Sequence, residues 1–199
     1  ALNDLVRSAK VRYIGVSNLH AWQIMKAHGI TDKNIWARFE CIQAYYSIAS
    51  RDLEKEVIPM AQDQNLGMLV WSPLAGGLLS GKFTRDKAGT VDSRRTKFDF
   101  PPVNMEHAYN CIEVMEKIAK EHEVSVAQVA LAWLLHKSAV TSVIIGAKKE
   151  AQLKDNIASV NLKLSEEQMK ELDEVSKPTP DYPGWMVERQ SSERLSSIS

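Results

Sequence analysis

The sequence predicts an α/β fold organised on a parallel sheet. Three observations carry that prediction. Short apolar runs alternate with amphipathic, helix-like stretches four times along the chain. Polar or glycine-rich residues follow each of the four runs, which puts a site at the strand carboxyl ends. No fixed-period repeat offers a solenoid or propeller instead.

The elements follow in order. Leu2, Leu5 and Val6 have helical spacing, so residues 1–9 read as the end of a helix with no cap before it. Val11 to Val16 is β-branched and aromatic, a first strand closed by Ser17 and Asn18. A helix over Ala21–Ala27 is expected to stop near Gly29. Phe39–Gln43 is the second strand. Asp52–Gln64 reads as a helix with Leu53, Val57, Ile58 and Ala61 on one side and a kink at Pro59. Gly67–Trp71 is the third strand and runs into a glycine-rich loop. Residues 83–104 are long, charged and turn-rich, the mark of a functional or mobile loop. Glu106–His122 is amphipathic, with Ala108, Ile112, Met115 and Ile118 inward, and Ser125 caps a buried helix over Val126–His136. Val143–Ile145 is the fourth strand, and Glu150–Ser159 the helix after it. Ser165 and Gln168 form a capping-box pattern for a helix to about Val175. A Pro- and Ser-rich tail runs from Lys177, with disorder expected over Ser191–Ser199.

Bulk properties narrow the function. The 199 residues suffice for one domain with a real core. The 25 basic and 25 acidic residues balance, which argues against a nucleic-acid or anionic-membrane partner. No apolar run approaches the roughly 18 residues a spanning helix needs. No signal-like apolar region opens the chain. Cys41 and Cys111 are two and far apart, which fits a reducing, cytoplasmic setting. No Cys or His spacing suggests a metal, and the five histidines read as surface or helix residues.

The residues after the strands carry the chemistry. Gly76 to Lys82 spells G-x-x-x-x-G-K, but Phe83 stands where a phosphate loop needs Ser or Thr, and a polar loop follows instead of a helix. An ATPase or GTPase is therefore disfavoured, and a plain glycine turn is the bland alternative. Ser17, Asn18 and Gln43 sit at two strand ends, where amide side chains with both donors and acceptors can grip a carboxamide. Each alone could equally be a turn residue or a cap. Trp71 is either core or a stacking plate for a ring. Lys148 and Lys149, after Gly146 and before a helix, suit an anion or a solvated face.

In combination these segments resemble the aldo-keto reductases. The resemblance rests on Val11–Asn18, Ile42–Ser47, Trp71–Lys82, and Val143–Lys148 with Gln152 and Asn156, and extends to Tyr182–Trp185. It implies a (β/α)8 barrel of the TIM type that binds NADP(H) without a dinucleotide-binding sheet. This chain would supply about the last four βα units, a half barrel, plus a C-terminal helix and tail. Residues 1–199 would form one domain, with 83–104 folded over the cofactor and 177–199 as tail. By similarity, Ser17, Asn18 and Gln43 hold the nicotinamide carboxamide and Trp71 stacks on its ring. Ser72, Leu74, Gly76 and the loop to Lys82 face the pyrophosphate. Lys148 meets the 2′-phosphate, with Gly146 also in the cofactor site and Gln152 and Asn156 toward the adenine. Gly146-Ala147-Lys148 resembles the bacterial, potassium-channel-β-like branch.

The family's Asp, Tyr, Lys and His set, in which Tyr gives a proton to the carbonyl oxygen as hydride arrives, has no match in this chain. Tyr45 and Tyr46 read as packing residues, and no catalytic residue is assigned. A barrel of this type takes about 250 residues, and four parallel strands leave two open edges. The expected function is reduction of aldehydes or ketones to alcohols by a whole of which this chain is the cofactor-binding part. The expected partners are a small carbonyl substrate and either the N-terminal barrel half or a second copy of the chain, with homo-oligomers open. The alternatives are an inactive nucleotide-binding half barrel and a channel-β-like regulatory subunit.

Overall fold

Alternating burial makes the sheet two-faced. Along β2 (Phe39–Tyr45), Ile42 and Ala44 are buried while Gln43 is exposed. Along β3 (Gly67–Trp71), Met68 and Val70 are buried and their neighbours are half-buried. Period-two burial of this kind is what a pleated strand produces when one face meets a core. The computed structural model describes residues 1–85, 95 and 98–195. In it these strands join β1 (Ile14–Ser17) and β4 (Ser142–Val143) in one parallel sheet, in sequence order. Ser17 lies opposite Gln43, Gln43 opposite Leu69, and Tyr45 opposite Trp71. Among the described residues, the outer edges of β1 and β4 have no strand partner.

Helices flank the sheet, the second, third, fourth, fifth and seventh burying apolar side chains in its core. They are α1 (Leu2–Arg7), α2 (Ala21–Asn34), α3 (Val57–Asp63), α4 (Met105–Glu121), α5 (Val126–Leu135), α6 (Glu150–Ala158), α7 (Glu166–Val175) and α8 (Gly184–Leu195). Ile42, Met68 and Val70 pack in one cluster with Ile24 of α2, Ile112 and Met115 of α4, and Val129 and Trp133 of α5. Full burial of such a side chain contributes about 1.5–3 kcal/mol. The inward stripe of α4 is the expected one, and α5 is buried from Ala127 to Leu134. Ser125 accepts from the Gln128 amide at 3.1 Å, and Ser165 and Gln168 form a reciprocal capping box.

A polar hub ties the segment after β2 to the helices. Arg51 donates through Nε and Nη2 to the Glu54 carboxylate at 2.7 and 2.8 Å, and through Nη1 to the Asp173 carbonyl at 2.8 Å. The Trp133 indole donates to Asp173 Oδ1 at 2.9 Å, with the Arg51 and Lys137 cations against its ring. Tyr46 donates its hydroxyl to Glu54 at 2.5 Å.

Six expectations are corrected. The first strand is Ile14–Ser17 rather than Val11–Val16, and the second continues past Gln43 to Tyr45. Gly29 does not stop α2, which continues to Asn34 and ends on Ile35 in the left-handed region. Gly29 has open space around it, so the helix loses only propensity there. Pro59 does not kink a long helix. A 3-10 turn at Asp52–Glu54 comes first, and α3 begins at Val57, so Pro59 falls in a first turn where its missing N–H costs nothing. The fourth strand is Ser142–Val143 rather than Val143–Ile145, although the Thr141 and Ile144 amides also donate to β3 carbonyls. The tail is helical to Leu195 instead of unstructured from Ser191; Met186, Glu188, Arg189 and Gln190 are good helix formers. Residues 196–199 lie outside the described residues, as do 86–94 and 96–97 of the 83–104 loop.

Candidate functional site

Three strand ends and one turn build the site. Because β1, β2 and β3 are parallel and in register, their carboxyl ends lie side by side. Ser17 Oγ donates to the Gln43 carbonyl at 2.9 Å, which ties β1 to β2 at the rim. Asn18 follows in the left-handed region at φ 56, a conformation Asn tolerates, and its Oδ1 accepts from Trp71 Nε1 at 3.1 Å. That bond fixes the indole across the width of β2 and leaves the Asn18 amide nitrogen as a free-standing donor type at the rim. The Gln43 side chain is exposed, on the face opposite the core.

Trp71 is half-buried and flanked by rings. Tyr45 lies 5.1 Å away, tilted 34°. Phe100 lies 5.8 Å away at 9°, an offset parallel stack that takes one face of the indole. Burial raises the Tyr45 hydroxyl above its ordinary value, the opposite of what a proton-donating Tyr needs at neutral pH. Its hydroxyl pairs with Ser47 Oγ at 3.3 Å.

After Trp71 the chain turns tightly. Ser72 sits at φ 51 and its Oγ accepts from the Gly76 amide at 3.0 Å. Leu74 packs against the core and its carbonyl accepts from the Gly77 amide at 2.9 Å. The turn over Ala75–Ser80 is 3-10, and Phe83 is buried in the core, so no phosphate-loop helix begins here. Gly76 and Gly77 differ. A Cβ on Gly76 would lie 2.5 Å from the Phe100 carbonyl oxygen, whereas one on Gly77 would meet nothing within 4 Å. The backbone of Phe100 fills the Gly76 side, held by buried Arg95, which donates to the Ala75 and Pro101 carbonyls at 2.9 and 3.1 Å. The open cradle is on the Gly77 side. Lys82 is exposed near the end of this turn.

The second half of the expected set lies after β4. Gly146 is open, and exposed Lys148 donates its backbone amide to Gln152 Oε1 at 3.1 Å. Gln152 thus caps the start of α6, whose N-cap, Lys149, offers no side-chain acceptor. Asn156 is buried, only 6% exposed, on the same helix.

The structure therefore brings Ser17, Asn18, Gln43 and Trp71 into one bonded rim, with Ser72 and Gly76 in the adjoining turn. Gly146, Lys148 and Gln152 form a separate group on the β4 side. Three residues escaped the sequence reading. Tyr45 was discoverable, because in-register strands set it beside Trp71. Gly77 was half visible as the second of two glycines. Phe100 had no local signal, since its role depends on a contact 29 positions away.

The donor set fits a dinucleotide. It offers a fixed aromatic plate, amide groups beside it, an open glycine turn and a cation before a helix amino end. One face of the plate is covered by Phe100. Among the described residues, no group of three or more His, Cys, Asp or Glu could hold a metal, and no helix is long and apolar enough to cross a membrane.

Known proteins are similar to this chain in sequence. A putative aryl-alcohol dehydrogenase of Schizosaccharomyces pombe is 40% identical over 183 residues, which cover 90% of this chain and 50% of that protein. An uncharacterized oxidoreductase of Bacillus subtilis is 36% identical over 189 residues, 93% of this chain and 56% of that protein. Versiconal hemiacetal acetate reductase of Aspergillus parasiticus is 32% identical over 186 residues, covering 92% and 54%. The chain spans about half the length of the curated relatives it matches. The sequence profile of the Aldo/keto reductase family matches residues 1–177, and the chain belongs to that family.

Proposed function

We propose that this chain is the cofactor-binding half of an NADP(H)-dependent aldo-keto reductase, one that reduces aldehydes or ketones to alcohols. The observation that carries the reading is the rim. Ser17, Asn18, Gln43 and Trp71 come from three consecutive strand ends and are tied together by the Ser17–Gln43 and Asn18–Trp71 hydrogen bonds. When bound, the reduced nicotinamide supplies hydride. Asn18 and Gln43 orient its carboxamide, and Trp71 supports the ring. The Gly77 turn and Lys82 receive the pyrophosphate, with Ser72, Leu74 and Gly76 shaping that turn. Gly146 leaves room beside Lys148, which meets the 2′-phosphate and gives the preference for NADP(H). Gln152 orders the turn that carries Lys148, and Asn156 lies toward the adenine end.

The catalytic Asp, Tyr, Lys and His set, with its proton-donating Tyr, lies outside these residues, on an N-terminal barrel half. Two features support a larger whole. The outer edges of β1 and β4 are unpaired among the described residues. Large apolar side chains stand in water elsewhere on the surface, among them Ile35 at 94% exposure and Val160 at 63%. Completion of an eight-stranded barrel would pair both edges. Residues 1–199 then act as one domain, with 83–104 over the cofactor. The two cysteines are unpaired, in keeping with a cytoplasmic setting. Gly146-Ala147-Lys148 supports the potassium-channel-β-like branch, and the relatives' names support aryl substrates.

The test is titration of the chain with NADPH, followed by addition of a reactive aldehyde such as 4-nitrobenzaldehyde. Binding without turnover is expected. Absence of binding overturns the cofactor site, and turnover overturns the placement of the proton donor elsewhere.

A further inference from the structure

The end of α2 is built against local rules. Ile35 closes the helix in a Schellman turn: its amide donates to the Asp32 carbonyl at 3.3 Å, and the Trp36 amide to the Thr31 carbonyl at 2.9 Å. That turn requires the left-handed region, and Ile35 sits there at φ 55. Gly or Asn normally fills the position, because a β-branched side chain is a steric outlier in that region. No internal packing offsets the strain, since Ile35 is 94% exposed. Strain kept at the surface without a packing gain points to a binding role.

Its neighbours turn this residue into a patch. β1 and β2 are parallel and paired from Ile14 and Phe39, so the residues leading into them lie side by side at the amino end of the sheet. Asn3 Oδ1 of α1 accepts from the Ala37 amide at 2.9 Å, and the Lys10 and Val11 amides donate to the Leu5 carbonyl, which brings α1 to the same corner. There Tyr13 is 74% exposed and Trp36 49%, with Val11 beside them. Residues 35–38 lead into β2, an inner strand, so strand pairing at the free edges of β1 and β4 is not directed at them. Over the whole chain the charges balance, but at this corner they segregate. Arg7, Lys10, Arg12 and Lys33 are exposed and have no ion pair among the described residues. Asp4 is held by the Ala1 amine at 3.2 Å, and Asp32 lies 3.8 Å from Arg38. Glu40 and Asp63 are the other carboxylates near these strand starts, so the four cations outnumber the acids left to meet them.

We propose that this corner, Val11–Tyr13 with Ile35 and Trp36, seats the protein reversibly on an anionic membrane surface. Ile35 and Trp36 enter the headgroup boundary, Tyr13 lies along it, and the four cations meet anionic headgroups. A side chain 94% exposed stands on a convex tip, which gives a peptide no groove to lie in. A convex apolar tip ringed by cations suits a soft, negatively charged surface instead. Nothing here spans the bilayer, and among the described residues no helix could. The corner lies at the opposite end of β2 from the rim, about 20 Å away by strand rise, and so it stands independently of the cofactor reading.

The experiment is sedimentation of the full chain with phosphatidylcholine vesicles and with vesicles that also contain phosphatidylserine. Binding to the anionic vesicles is expected to be at least about tenfold tighter than to the neutral ones, and to weaken as salt rises. Lys10→Gln and Arg12→Gln should each weaken it about fivefold, one cation's share, with unfolding midpoints unchanged. Ile35→Asn relieves the turn, so it should raise the unfolding midpoint and yet weaken vesicle binding at least about threefold. Tryptophan emission should move to the blue on binding, and that shift should shrink in Trp36→Phe while affinity stays within about twofold. Equal binding to neutral vesicles overturns the proposal, as does the absence of binding to anionic ones. Anionic binding indifferent to Ile35→Asn and to both charge variants overturns it as well.

Discussion

Trp133 and Trp71 are both fixed through the indole N–H, yet they stand in opposite regions. Trp133 is fully buried on α5, donates to Asp173, and lies against Arg51 and Lys137. Its surroundings are closed: apolar contacts below, paired charges above. Trp71 ends β3 at the rim, donates to Asn18, and is flanked by the rings of Phe100 and Tyr45. Its surroundings are open, with left-handed backbone at Asn18, Ser72 and Gly76 within the same few residues. The covered side of the sheet holds the fold together. The rim keeps donors, rings and strained turns that contribute little to stability and much to recognition.

The comparison breaks first at the two tryptophans. Trp133→Ala should cost about 3–5 kcal/mol, since it empties a core site and removes the indole bond to Asp173. Trp71→Ala should leave the chain folded and remove NADPH binding. Denaturant midpoints and calorimetric titration check the pair.

Within the rim, Gly76 and Gly77 make a finer contrast. Both have positive φ, so alanine strains either by about 1–3 kcal/mol. Gly76→Ala should cost roughly 1–2 kcal/mol more, because its Cβ collides with the Phe100 carbonyl and pushes that segment off Trp71. Tryptophan emission should change for Gly76→Ala and not for Gly77→Ala. The Gly77 variant should instead lose NADPH affinity, because the new methyl fills the open side of the turn. Phe100→Ala should strengthen NADPH binding a few-fold by clearing one face of the plate, at a stability cost below about 1 kcal/mol.

Much of this division is legible in the sequence. The apolar runs of β2 and β3, the stripe of α4 and the apolar run of α5 all follow from local sequence pattern, and each appears where expected. The end of β1 is legible because the polar pair Ser17 and Asn18 breaks an apolar run, whereas Gln43 lies two residues before the end of β2. The failures have physical causes. Gly29 and Pro59 are weak punctuators when one is solvent-facing and the other falls in a first turn. Asn156 carries no local mark of its burial. Phe100 on Trp71 is a contact across 29 positions, and nothing near either residue encodes it.

The smallest expected effect is a pH dependence on the covered side. His28 is buried, with Arg38 Nη2 3.0 Å from its Nδ1. Burial first, and the Arg38 charge second, hold its pKa below the ordinary 6.5. The unfolded chain therefore takes up this proton at higher pH than the folded one. Stability present above pH 6.5 is lost as pH falls from 6.5 toward the depressed folded value. Urea midpoints measured across that window should fall with pH, and less steeply in His28→Gln.

The division between covered face and rim is tested most directly by the two indole N–H resonances. With the Trp71 and Trp133 signals assigned through Trp71→Phe and Trp133→Phe, NADPH is titrated into the chain. The account predicts that the Trp71 signal shifts and saturates, its hydrogen bond to Asn18 lying at the bound ring, while the Trp133 signal stays in place. A saturating NADPH titration that leaves the Trp71 signal unmoved, or that moves Trp133 instead, would contradict it.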